Sequence, residues 1–208
     1  MLLVGEVDKR RVAEAIALAE RDTAGEIVAM IAPESGSYLH VPFLWAGLVA
    51  LAVPWPLIFW TWWPVQHIYL LQLAVFAILV LALAHRSLRF ALVPRSIKHA
   101  RAHRRALEHF LAQNLYTTVG HTGVLLFVSV AEGFAEIIAD AAIHAKVGNA
   151  AWEAIVADLA DRIGRGAAAD GLIDAIATIG QHLAHHFPAS ETERRNVLTN
   201  HLIVLPPA

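Results

Sequence analysis

The sequence predicts an α/β fold, a sandwich of a small mixed sheet flanked by helices, that is interrupted by a two-helix transmembrane hairpin. Three observations lead to this class. Residues 43–84 contain no Lys, Arg, Asp or Glu. One helix-like and one strand-like segment precede this run, and further helix-like and strand-like segments follow it. Because a lone helix and a lone strand bury too little apolar surface to be stable, the two flanks are expected to combine into one domain.

The composition favours a membrane-embedded part. Of the 208 residues, 57% are hydrophobic and only 16% are charged, which is more apolar than an ordinary soluble domain. The formal charge of -2 lacks the basic surplus of nucleic-acid-binding proteins, so no nucleic-acid partner is expected. The absence of cysteine excludes disulfides, thiolate metal sites and a cysteine nucleophile.

The first segment, residues 1–40, is predicted to hold one helix and one strand of the domain. Between Asp8 and Asp22, apolar residues recur at positions i, i+3, i+4 and i+7, which is the pattern of an amphipathic helix. Gly25 is suited to the position after a helix end. The run from Glu26 to Ala32 then predicts a β-strand.

Residues 41–85 are predicted to form the transmembrane hairpin, with spans at about 43–63 and 68–84. At ~1.5 Å per residue, the first span crosses a hydrocarbon core of ~30 Å and the second nearly does. Pro54 and Pro56 are expected to kink the first helix. The alternative interpretation is a buried helical hairpin inside a soluble core, but such cores rarely contain so long an uncharged run.

The orientation of the hairpin is predicted from the basic stretch that follows it. Residues 85–105 hold seven Lys or Arg and no acid, which places this end in the cytoplasm and, for a two-span hairpin, both termini as well. The expected location is a bacterial inner (plasma) membrane. Anionic lipid headgroups are the expected contacts of Arg86, Arg89, Arg95 and Lys98. A nucleic-acid or signalling patch is the alternative interpretation of the same charges.

The remainder of the domain is predicted to occupy residues 86–208. A helix is expected from about Ser96 to Gln113, and the continuous apolar run from Thr122 to Val130 is typical of a strand covered on both faces. After a turn at 131–134, residues 135–143 are expected to return as a second strand. Two amphipathic helices, the first capped by Asn149 and the second starting near Asp170, and a closing strand at 200–207 complete the order.

Taken together, residues 11–32, 122–147, 152–188 and 195–205 resemble the TPM-domain family, which includes thylakoid photosystem II repair factors and many bacterial membrane-associated proteins. The resemblance implies a TPM-like sandwich of the bacterial subgroup with two membrane helices inserted after the first strand. It also implies a role in the upkeep of membrane complexes, and some relatives are acid phosphatases or calcium binders. The sequence departs from the subgroup at Gly133 and Phe134, and at Ala142, where a glycine is usual.

A candidate metal site is predicted at the end of the second strand. Asp140, His144 and Glu136, with Glu132 nearby, are suited to Ca2+ or another divalent cation, because carboxylate oxygens are the ligands that calcium prefers. Alternatively, Asp140 caps the following turn or pairs with Lys146. Two histidine pairs spaced i, i+4 can also chelate a metal if a third ligand arrives, namely His99 with His103 and His182 with His186.

The predicted function is a binding, assembly or maintenance factor for membrane protein complexes. The alternative is a metal-dependent acid phosphatase-like hydrolase or a divalent-cation-binding module. Phosphoryl transfer needs a nucleophile or a metal centre together with cationic groups that stabilise the transferring phosphoryl group. The sequence offers neither a dense motif of that kind nor a glycine-rich phosphate loop, so we assign no catalytic residues and regard catalysis as the less favoured hypothesis.

Overall fold

The computed structural model describes residues 5–38, 40–113, 115, 122–189 and 201–206. The chain divides into two compact units, one formed by Met1–Ser35 with His99–Ala208 and the other by Gly36–Lys98. The described elements, in chain order, are α1 (Glu6–Glu20), β1 (Glu26–Ala32), α2 (His40–Ala52), α3 (Pro54–Trp60), α4 (Val65–Leu83), α5 (Arg86–Ala91), α6 (Arg95–Ala112), β2 (Gly123–Ser129), β3 (Phe134–Ala139), α7 (Ala141–Val147), α8 (Asn149–Gly164), α9 (Ala168–His186) and β4 (Ile203–Val204).

The first unit is built on a four-stranded mixed sheet in the order β3-β2-β1-β4. Strand β1 runs parallel to both β2 and β4, whereas β2 and β3 form an antiparallel hairpin. The register pairs Glu26 with Gly123 at one end of the two central strands and Ala32 with Ser129 at the other. The predicted α/β class with a small mixed sheet flanked by helices is therefore confirmed.

Both faces of the sheet are covered, and for this reason every residue of β1 and β2 is buried. On one face, alternate strand residues such as Ile31 and Leu126 pack with α1, α8 and α9. On the other face, Met30 and Phe127 pack against Phe110 and its neighbours on α6. Burial of each large apolar side chain stabilises the fold by roughly 1.5–3 kcal/mol.

Helices α1 and α9 approach closely where Gly180 meets Ala19. A Cβ atom added to Gly180 would lie 2.6 Å from the Cβ of Ala19 and 3.0 Å from its Cα, and a backbone atom cannot move aside as a flexible side chain can. Gly164, the last residue of α8, has open space at the same position. Gly164 is therefore a control position for a substitution at Gly180.

We expect Gly180→Ala to lower the free energy of unfolding by about 1–3 kcal/mol, because the overpacking outweighs the better helix propensity of alanine. Gly164→Ala is expected to be neutral or slightly stabilising. Urea unfolding of the two variants, followed by circular dichroism, checks both results. Equal stability of the two variants would contradict the close approach of α1 and α9.

The structure corrects the prediction for residues 135–143. Strand β3 ends at Ala139, and the segment Ala141–Val147 forms α7 instead of continuing the strand. The reason is Asp140, whose side chain accepts a hydrogen bond from the backbone N–H of Ala141 and so begins a helix.

The start of α8 also differs from the prediction. Gly148, with φ 79°, is the N-cap residue of α8, and Asn149 is already its first helical residue.

The second unit contains two apolar helical segments that are long enough to cross a membrane, His40–Trp60 and Val65–Leu83. The first lies three residues earlier than the predicted span of 43–63, and the second begins three residues and ends one residue before the predicted span of 68–84. The loop comprises residues 61–64, because Thr61 is extended and Pro64, with ψ 143°, precedes the first turn of α4. Pro54 is accommodated as the first residue of α3, where a helix does not require its missing N–H group.

Helices α2 and α4 pack against each other, yet they bury few of their residues. Small residues of α2, Ala46 and Ala50, are among those that are buried. Large apolar side chains remain exposed along α2, α3 and α4 and at the loop before α4; they include Leu44, Leu48, Leu51, Trp55, Phe59, Trp60, Trp62, Val65, Leu70, Leu73, Ile78 and Leu81. An apolar surface of this extent is unusual for a soluble protein and is typical of a membrane or partner interface.

Candidate functional site at the carboxyl ends of the central strands

A buried polar cluster joins the segments that follow β1 and β2. The carboxylate of Glu132 accepts a hydrogen bond from the backbone N–H of Ser35 at 2.9 Å and another from the Ser129 hydroxyl at 2.5 Å. The hydroxyl of Ser35 in turn donates to the Ser129 oxygen at 2.6 Å. All three residues are buried, so these hydrogen bonds form where water does not compete.

Arg105 of α6 adds a fourth member, and we call Ser35, Ser129, Glu132 and Arg105 the anchor cluster. Its guanidinium donates to the backbone carbonyl of Glu34 at 2.9 Å and to that of Pro206, also at 2.9 Å. Arg105 thereby ties α6 to the segments that follow β1 and β4. The planar fork of donors on arginine is suited to two such acceptors at once.

The local sequence explains how the cluster forms. Strand β2 ends at Ser129, and the turn that follows closes through a hydrogen bond from the N–H of Gly133 to the carbonyl of Val130. Gly133 has φ 60°, a left-handed conformation that glycine adopts at little cost. The N–H groups of Val130 and Ala131 also bond to the carbonyls of Ala32 and Pro33, so the turn stays paired with the chain that leaves β1.

The chemistry of the cluster is that of a clamp. Each oxygen of Glu132 receives a donor, and the Ser129 oxygen both donates and accepts. Ser129 is 0% exposed, and its hydroxyl is engaged in these two hydrogen bonds. The arrangement fixes Ser35, the last residue of the first unit before the chain enters the second.

The predicted metal-site residues have separate partners in the structure. The carboxylate of Asp140 caps α7 by accepting from Ala141, and His144 lies exposed on the same helix. Glu136 lies on β3, where its two oxygens are 2.8 and 2.9 Å from Nδ1 of His103 on α6. Among the residues that the structure describes, no group of three or more His, Asp or Glu side chains has an arrangement that could hold a metal ion.

The two histidine pairs also have identifiable surroundings. His103 contacts Glu136, while the ring of His99 packs against Phe134 with 5.1 Å between the ring centroids. His182 packs against Trp152 with 6.1 Å between centroids. The pKa of His186 is lowered by partial burial and then by the nearby His185, Lys146 and His182, so its neutral form is favoured.

Another histidine, His109 on α6, has a lowered pKa and lies close in the chain to Arg105 of the anchor cluster. Burial and the positive charge of Arg105 lower the pKa of His109, and the opposing effect of Glu108 is smaller. Because the folded state disfavours the charged imidazole, the contribution of His109 to stability is present above its unfolded-state pKa and is lost as the pH falls from that value through the lower folded-state pKa. The neutral ring is therefore the form that suits the folded structure.

An apolar pocket of ≈ 200 Å³ lies beside the cluster, between the β2–β3 turn and the last turn of α8. Its lining residues are mostly apolar; they are Ser129, Val130, Gly133, Phe134, Ala135, Ala160, Ile163 and Gly164. Pockets for drug-sized ligands usually have ~300–1,000 Å³ and several convergent polar groups. This pocket is suited at most to a small apolar group.

Sequence reasoning assigned no joint role to the anchor cluster. Ser129 and Glu132 were visible as a polar pair at the end of an apolar strand, but their partner Ser35 lies far away in the chain. Arg105 lies in a basic stretch whose evident sequence signal is its net positive charge. Its hydrogen bonds to backbone carbonyls have no local sequence signal.

Comparison with known proteins gives a likeness of fold. No protein-family model matches the chain, and no curated protein sequence matches it either. Among solved structures, the chain is similar to the NMR structure of the BA42 protein from the psychrophilic bacterium Bizionia argentinensis sp. nov., with a TM-score of 0.60 and 17% sequence identity. The match covers 97% of this chain and 94% of that chain. At this identity, the likeness concerns the fold alone.

Proposed function

We propose that the chain is an integral membrane protein with a TPM-like domain, which binds other membrane proteins and supports the assembly or maintenance of their complexes. The observation that carries this proposal is the position of the apolar hairpin. It lies in sequence between β1 and β2, which pair along their whole lengths within one folded unit.

This position constrains the membrane topology. Since β1 and β2 belong to the same unit, the chain must leave that unit before the hairpin and return to it afterwards. Two spans satisfy this condition, because a hairpin returns to the side on which it started. The exposed apolar side chains of α2, α3 and α4 provide the lipid-facing surface that such a hairpin needs.

The cytoplasmic side of a bacterial inner membrane is the proposed location of the domain, on the basis of the basic stretch that follows α4. Within this stretch, Arg95 is exposed and available to a headgroup. Lys98 donates to the Phe90 carbonyl at 3.3 Å, and the guanidinium of Arg89 lies 5.3 Å from the Phe90 ring centroid. Arg86 begins α5, and its side chain lies outside the described part of the structure.

The absence of cysteine allows a direct test of this topology. We expect Trp62→Cys, in the loop between the spans, to react with a membrane-impermeant maleimide in intact cells. Ala154→Cys, on the exposed side of α8, is expected to react only after the cells are opened. Labelling of Ala154→Cys in intact cells would contradict the cytoplasmic location, and protection of both sites in intact cells would contradict the hairpin.

The proposed binding role is tested by comparing membrane complexes, separated on native gels, from cells with and without the protein. We expect at least one complex to decrease without it, and the full-length chain to restore that complex. Hydrolysis of phosphomonoesters by the purified full-length protein, dependent on a divalent cation and abolished by Asp140→Asn, would instead support the hydrolase alternative.

A further inference from the structure

Helix α6 has an apolar stripe on the side that faces away from the sheet. Its inner side buries Ala102, Ala106 and Phe110. On its outer side, exposed residues recur at intervals of three and four, and we call them the outer stripe: Ile97, Ala100, Arg104, Leu107 and Leu111. The three large apolar members are 46%, 42% and 51% exposed, respectively. An apolar stripe with this spacing is typical of a helix face that docks on another surface.

The charge of α6 indicates the kind of surface. The helix carries five Lys or Arg and one acid, Glu108. Arg104, within the outer stripe, is highly exposed and pairs with Glu108 at 3.3 Å. A second copy of this helix would bring two cationic surfaces together, which is unfavourable. An anionic surface is therefore the complementary partner.

The chain itself places such a surface nearby if the hairpin spans a membrane. Only α5 and two short connections separate α6 from the end of α4. A surface on so short a tether meets the bilayer at a high effective concentration, so that weak individual contacts are sufficient. Each basic side chain near an anionic bilayer adds to the attraction between the helix and the lipid surface. Apolar residues on the same helix face add the burial that interfacial helices use.

We propose that the outer stripe of α6 docks on the surface of an anionic lipid bilayer. Ile97, Leu107 and Leu111 enter the boundary between headgroups and acyl chains, and Arg104 lies among the lipid phosphates. This inference rests on the proposed membrane anchoring and goes beyond it, because it assigns α6, a helix of the α/β domain, a second contact with the membrane.

The test uses the full-length protein in lipid nanodiscs, with single cysteines that carry an environment-sensitive fluorophore. Probes are placed at Leu107 and Leu111 in the outer stripe, at Leu73 in α4 as a reference for insertion, and at Ala154 on α8 as a control. Spin-labelled lipids then quench each probe that lies in the bilayer. In discs that contain phosphatidylglycerol, the Leu107 and Leu111 probes are expected to lose most of their emission, while the Ala154 probe keeps its emission.

A charge variant tests the role of Arg104. Arg104→Glu is expected to restore most of the emission of the Leu107 probe in the phosphatidylglycerol discs. Arg165→Glu, at the exposed end of α8, changes the net charge equally and is expected to leave the quenching in place. Equal restoration by both variants would overturn a specific role for α6.

The remaining outcomes separate this inference from the proposed anchoring. Quenching of the Leu73 probe without quenching of Leu107 or Leu111 would overturn the inference and leave the anchoring intact, whereas no quenching at any site would overturn both. Equal quenching of the outer stripe in phosphatidylcholine alone would overturn the requirement for anionic lipid. If the emission of the Leu107 probe changed only when acidic membrane proteins were added to the discs, the surface that covers the outer stripe would be a protein and not the lipid.

Discussion

Replacing Leu73 with arginine is expected to remove most of the protein from the membrane fraction. Leu73 lies near the middle of α4 and is 47% exposed. Leucine at the centre of a span favours insertion by about 0.5 kcal/mol, whereas arginine there costs about 2.5–3.5 kcal/mol. The change of about 3–4 kcal/mol lowers the insertion equilibrium by more than ~100-fold. Carbonate extraction of membranes, followed by immunoblotting, measures the inserted fraction.

Leu18→Arg provides the matched control. Leu18 lies on α1 and is 63% exposed, which is more than Leu73. If α4 were a helix on the surface of a soluble protein, both substitutions would be tolerated, since exposed sites away from special features usually change stability by less than ~0.5 kcal/mol. Equal distribution of the two variants between membrane and soluble fractions would refute the proposed insertion.

The second large effect is expected at the anchor cluster. Glu132→Ala should lower the free energy of unfolding by about 2–4 kcal/mol, because it leaves the Ser35 N–H and the Ser129 hydroxyl buried without their acceptor. Glu132→Gln is expected to cost less, since its carbonyl oxygen replaces one of the two acceptors. Chemical denaturation of the detergent-solubilised protein measures both effects.

A carboxylate on the protein surface provides the comparison for this experiment. Glu153 is exposed on α8, and Glu153→Ala should leave the stability within ~0.5 kcal/mol of the original chain. If Glu132→Ala were as stable as Glu153→Ala, the cluster would have no clamping role. A cysteine introduced at position 35 (Ser35→Cys) reports on this segment through its reactivity with a maleimide. Faster labelling of that cysteine when Glu132→Ala is also present would show that the start of the insertion has become accessible.

Elements with a strong local pattern could be predicted from the sequence. Strand β1 has the predicted bounds, Glu26–Ala32, because the apolar run from Ile27 to Ala32, with a glycine shortly before it and a proline directly after it, leaves few alternatives. Helix α8 was evident from the spacing of Trp152, Ile155 and Leu159, which are its buried residues. In these segments, the local preference and the tertiary environment favour the same structure.

Helix α7 was not predicted, because the residue that begins it, Asp140, precedes the helix and no periodic pattern marks the helix itself. It is only seven residues long, and Ile137 and Ile138 just before it favour extending the strand. The cap formed by Asp140 favours a helix over a continued strand. From the sequence alone, capping was one of several roles open to Asp140, beside metal binding and a pair with Lys146. The contact between Glu136 and His103 could not be predicted for a similar reason, since the two residues lie on different elements of the chain.

The pairing of β1 with β2 across the insertion also sets an order of events during synthesis. In the chain, 97 residues separate Ser35 from Glu132, which the folded protein holds together. At ribosomal speeds of roughly 5–20 residues per second, β1 emerges many seconds before its neighbour exists. Its apolar edge stays open until the hairpin and α6 have been made, and such an open edge invites wrong pairing. Completion of the sheet therefore waits for the synthesis of the whole inserted segment, because β1 cannot pair with β2 before then.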